Sequence, residues 1–110
     1  MKDLTGVWKQ TGGSPADKGT YYIRQAADSA GNQNVFWFGK QTGGDGWSNV
    51  LFGTISGAGG DTIGGNWADV PDGNNRGSGT LTLKITNGGD GIEYVAGDGN
   101  YFGGRTWVRQ

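Results

Sequence analysis

A chain of 110 residues with a formal net charge of −1 has room for one modest core, and its interspersed acids and bases offer no basic surface for nucleic acid or an anionic membrane. Its 25 glycines follow no three-residue period, which excludes collagen, while five Trp, four Tyr and four Phe argue against disorder. The absence of Cys and His excludes a disulfide framework, thiol chemistry and the common triads, and it removes the usual metal ligands. A small domain without such staples is expected to be a closed hydrogen-bonded shape or an oligomer.

Taken in order, the chain alternates short apolar-patterned runs with Gly, Asn and Asp. Met1-Lys2-Asp3 leads straight into strand-like sequence with no apolar stretch. No signal peptide or membrane span is therefore expected, and the cytoplasm is the expected setting, with a removed export signal as the alternative. Strand one is predicted over Leu4 to Gln10, with Leu4, Gly6 and Trp8 on one face, and Thr11 to Pro15 breaks it. Strand two covers Thr20 to Gln25, with Tyr21 and Ile23 opposite Tyr22 and Arg24, and a loop follows from Ala26 to Gln33.

Strand three, Asn34 to Gly39, is apolar on both faces: Val35 and Trp37 on one, Phe36 and Phe38 on the other. Strand four, Trp47 to Ser56, sets Leu51, Gly53 and Ile55 against Val50, Phe52 and Thr54. Strands apolar on both sides need a second layer or a partner, and a barrel without outer helices favours a partner. Phe36, Phe38, Val50 and Phe52 are therefore the expected face of a homo-oligomer.

Strand five runs from Thr62 to Val70. Its internal Gly64-Gly65 marks a bulge or a close backbone contact, with Trp67 a candidate to fill the space a glycine leaves. Pro71 stops it, and Asp72 to Gly77 form the most polar loop. Strand six, Thr80 to Thr86, carries the clearest alternation, with Leu81, Leu83 and Ile85 inward. Strand seven covers Ile92 to Ala96, Gly97 to Asn100 turn the chain, and strand eight covers Arg105 to Gln110, with Trp107 between Arg105 and Arg109. About eight strands, spaced about 12 to 15 residues apart with short turns, predict an all-β, antiparallel up-and-down β-barrel of one domain over 1–110; a β-sandwich is the alternative. Lys9-Gln10-Thr11-Gly12-Gly13 recurs as Lys40-Gln41-Thr42-Gly43-Gly44, a pair of similar turns rather than a repeat period.

The two ends carry Gly6-x-Trp8 and Trp107-x-Arg109. A G-x-W on the first strand of such a barrel resembles the calycin superfamily, and the absence of a helix makes the chain more similar to its avidin-like members than to lipocalins. The resemblance implies that Trp8 plugs one end and that Arg109, or failing it Arg105, packs across it. It supplies no ligand set for this sequence.

Among the acids, Asp69 and Glu93 fall inside predicted strands and form the best candidate pair for a glycosidase, which needs two acids facing each other across a cleft. Asp72, Asn74 and Asn75 lack the completing acidic positions of a calcium loop and read as a turn. No catalytic residue, metal or cofactor is expected. The tryptophans carry two readings. In the plainer one, Trp8, Trp37, Trp67 and Trp107 fill the barrel. In the functional one, aromatic rings and polar donors at one mouth hold a carbohydrate or small planar ligand. The candidate ligand-binding residues are Tyr22, Trp37, Trp47, Asn49, Trp67, Asp69 and Arg76.

Overall fold

The computed structural model describes residues 2–13, 19–98 and 102–110. The expected break at Ser14-Pro15 and the Gly99-Asn100 part of the last turn lie outside the described residues. Eight strands form: β1 (Gly6–Gly13), β2 (Gly19–Ala27), β3 (Gln33–Gln41), β4 (Ser48–Ser56), β5 (Thr62–Asp69), β6 (Ser78–Thr86), β7 (Gly91–Gly97) and β8 (Gly104–Arg109). Each pairs antiparallel with the next, and β1 pairs with β8, so the sheet closes as an up-and-down barrel. That pairing decides against the sandwich and removes both free edges. No helix among the described residues is long and apolar enough to cross a membrane.

Alternation sets the interior. In β6, Leu81, Leu83 and Ile85 are buried, while Lys84 and Thr80 face solvent. In β3 and β4, Trp37 and Leu51 are buried cross-strand partners, while Phe36 and Phe52 are partners on the outside. Tyr21 and Trp107 are almost fully buried beside Trp37, with ring centroids 5.0 Å and 5.6 Å from its own. The tryptophans at positions 8, 37, 67 and 107 are all core.

Some boundaries move. Leu4 lies before β1, and β1 continues through Thr11-Gly12-Gly13, which the sequence assigned to a break. A shifted register against β8 admits the two glycines there, Gly13 at φ +106°. β2 and β3 extend towards each other, leaving a tight turn where the Asp28 carboxylate accepts from the amides of Ala30 and Asn32 and from the side chain of Asn34. Trp47 falls in the turn before β4.

Glycine makes room for a ring at one position and for a close strand contact at another. Gly39 is buried against Tyr21, and a methyl group on it would overlap the Tyr21 ring. Gly65 lies against the β4 backbone at Phe52 and Gly53, the close backbone contact expected of a glycine inside a strand.

One end of the barrel is closed by the N-terminal strap. Trp8 Nε1–H donates to Leu4 O at 2.9 Å. The Arg109 guanidinium carbon sits 4.9 Å from the Trp8 ring centroid, and the same group donates to the carbonyls of Asp3, Thr5 and Gly89. Arg105 is elsewhere, over the Tyr94 ring at 4.2 Å.

Candidate functional site at the barrel mouth

The opposite end gathers the turn 42–47, the loop 70–77 and the segment leading into β8. The first two are tied together. Ser48 Oγ donates to Val70 O at 2.7 Å and accepts from the Gly73 amide at 3.0 Å, and the Asn74 amide donates to Gly46 O at 3.0 Å. Gly73 lies directly against the Trp47 backbone, where a larger residue would collide. The polar loop is thus a fixed wall of the mouth.

Phe102 turns inward and stops the interior. Its ring lies 5.0 Å from Trp67 and 5.9 Å from Trp107. Above it is a pocket of about 80 Å³, bordered by Tyr21, Trp47, Asn49, Trp67, Asp69 and Asn75 among others. A wider, open basin of about 440 Å³ continues outward between Asp69, Asn75, Arg76 and Gly77. Asp69 and Asn75 border both spaces.

Asn49 and Asp69 are cross-strand partners, which brings both side chains to the same level of the mouth. Asn49 Oδ1 accepts from Trp37 Nε1 at 2.9 Å. Asp69 Oδ2 accepts from the Gly77 amide at 2.7 Å. Partial burial pushes the Asp69 carboxyl above the ordinary carboxylate value, opposed by the Gly77 hydrogen bond and the charge of Arg76. Arg76 Nη1 donates to Gly73 O and Asn75 O, each at 2.8 Å, so its guanidinium is held in place by backbone rather than by an acid. Tyr21 donates to Gln10 Oε1 at 3.3 Å, and burial pushes its hydroxyl well above the ordinary phenol value.

Trp47, Trp67 and Trp107 each bury an indole N–H with no acceptor among the described residues. A buried donor without a partner costs on the order of 1–3 kcal/mol. The Trp47 and Trp67 residues border the pocket, whereas Trp107 lies in the core beneath it.

Of the candidates drawn from sequence, Trp47, Asn49, Trp67 and Asp69 meet at the inner pocket, and Arg76 stands at the outer basin. Trp37 is beneath them, reaching the pocket through Asn49. Tyr22 is not with them: it is on the outside of the barrel, stacked on Phe38 with centroids 6.5 Å apart. The alternation of β2 explains this, because Tyr22 shares its face with Arg24 and Tyr21 shares its face with Ile23. Sequence reasoning missed Tyr21, Gln10, Asn75 and Phe102. The first two continue inward faces already recognised, whereas Phe102 sits among glycines with no period to place it. Glu93 is exposed on β7, level with Lys84 of β6, so it does not face Asp69 across a cleft.

Comparisons with family models, curated proteins and solved structures gave no match.

Proposed function

We propose that the protein is a non-catalytic small-ligand-binding barrel whose site is the mouth, and that its ligand is a carbohydrate. The observation that carries this reading is that Asn49, Asp69 and Asn75 border one pocket together with Trp47 and Trp67, two tryptophans whose indole N–H groups are buried without a partner. A sugar hydroxyl both donates and accepts, so it can answer a carboxylate on one side and an indole N–H on the other. Aromatic rings supply the apolar contact that a pyranose face needs. The Arg109–Trp8 contact at the closed end supports kinship with calycin-like barrels.

Tryptophan fluorescence titrations with neutral mono- and disaccharides test the reading. A saturable change that is lost in Asp69→Ala and Asn75→Ala, with melting temperature retained, is expected. A panel without any saturable change refutes it.

A second reading concerns the outer face of β2, β3 and β4. Tyr22, Phe36, Phe38 and Phe52 are 49%, 43%, 37% and 50% exposed. At about 200 Å² per aromatic side chain, they present on the order of 400 Å² of contiguous apolar surface. That is about half of the roughly 800 Å² per partner in a standard interface, the remainder being available from a polar rim. A shallow groove of about 380 Å³ beside Phe36, Val50, Phe52 and Ala68 lies on the same face as the protruding rings. Knob and groove on one surface suit a two-fold contact between copies of this chain, with Phe36, Phe38, Val50 and Phe52 at its centre. The two readings are compatible, because the mouth and this face are different surfaces.

A further inference from the structure

The dimensions of the mouth limit how a ligand can sit in it. The inner pocket, at about 80 Å³, is smaller than the roughly 150 Å³ cavity that admits a benzene ring. A six-membered ring, planar or puckered, does not fit whole. The outer basin is about 440 Å³ and open, and it is bordered by the fixed Arg76 guanidinium. Asp69 and Asn75 stand where one space passes into the other.

Resting on the carbohydrate reading of this site, we propose that the protein recognises a terminal sugar residue by its edge. Two adjacent hydroxyls enter the inner pocket, and the ring and the rest of the glycan stay in the outer basin against Asn75 and Arg76. One hydroxyl donates to Asp69. The oxygen of the other accepts from an indole N–H of Trp67 or Trp47. Both indole nitrogens are buried, so the half-buried Trp47 ring shifts to let the entering oxygen reach one of them. The linkage to the next sugar points outward, so the ligand is the exposed end of a longer chain and not an internal unit.

Calorimetric titration with methyl glycosides of glucose, galactose and mannose, their monodeoxy derivatives and matching disaccharides tests this. For whichever sugar binds, deletion of either of two neighbouring hydroxyls should weaken binding about tenfold or more, as loss of a hydrogen bond to a charged or buried partner does. Extension at the anomeric oxygen should change affinity less than about twofold or improve it, because that oxygen faces the open basin. Arg76→Ala should weaken both ligands, and the disaccharide several-fold more than the methyl glycoside, because more of it lies in the basin that Arg76 borders. Equal losses from every deoxy position, or loss of binding on anomeric extension, would overturn edge recognition while leaving carbohydrate binding intact. Heat from none of the sugars would overturn the carbohydrate reading itself, and this proposal with it.

Discussion

The guanidinium carbon of Arg109 stands 4.9 Å from the centre of the Trp8 ring, and its nitrogens reach carbonyls of the N-terminal strap and of the turn before β7. One side chain near the C-terminus thereby ties both termini and a distant turn over the same tryptophan. Trp8→Ala should cost about 3–5 kcal/mol, as for a large buried aromatic. Arg109→Lys should be substantially destabilising, because a single ammonium cannot meet three carbonyls and Asp90 in the geometry of a planar fork. Urea unfolding midpoints of both variants check this.

The same end has a pH signature. Asp90 is held below its ordinary value of 3.8, first by Lys2 and then by Arg109. A carboxyl with a lowered folded-state pKa stabilises the fold above its unfolded value, and that contribution is lost as pH falls through the folded one. Asp90→Asn should therefore lower the melting temperature at pH 7 and make little difference well below pH 3.8, which thermal melts across pH 2–7 would show.

Asp69 behaves in the opposite sense. Its folded pKa is raised, chiefly by burial, so its protonated form is favoured in the fold. Its contribution is full below the unfolded value and is lost as pH rises through the folded one. Asp69→Asn, which keeps an acceptor for the Gly77 amide, should melt at or above the wild-type temperature at pH 7 and lose its advantage at pH 4. The same variant should bind sugar more weakly.

Tyr21 over Gly39 sets the floor of the mouth. Gly39→Ala should cost about 1–3 kcal/mol, the range for overpacking a filled core, and should disturb the pocket by pushing the Tyr21 ring. Gly64, which faces open space on the outside of β5, should accept alanine with little change. Denaturant midpoints of the two variants separate packing from backbone effects.

The outer face gives an independent expectation. Phe36→Lys with Phe52→Lys should leave the barrel folded, since both rings already meet solvent, and should convert a dimer to a monomer in sedimentation velocity. Wild-type protein that sediments as a monomer at high concentration would remove the two-fold contact from the account.

Strand number, closure and the inward set were legible because alternation is a local property: Leu81, Leu83 and Ile85 announce their face without help from the rest of the chain. Tyr22 was misplaced because its aromatic character outweighed its alternation with Tyr21, although Arg24 on the same face already pointed outward. Phe102 was not legible at all. It acts through an inward turn from a glycine-rich connection, and only the closed barrel gives that turn a direction. Arg76 was assigned to the site from its polar loop, but its role depends on the Gly73 and Asn75 carbonyls that fix it, a relationship between loop conformation and charge that no periodicity carries.

The most direct measurement is a nitrogen–proton correlation spectrum of the five indole N–H groups, recorded while the protein is titrated with the sugar panel. The account expects the Trp47 or Trp67 signal to move as its buried N–H gains an acceptor, and the Trp8 signal, bonded to Leu4 O at the closed end, to stay in place. Indole signals that stay fixed for every sugar, or a change confined to Trp8, would contradict a binding site at the mouth.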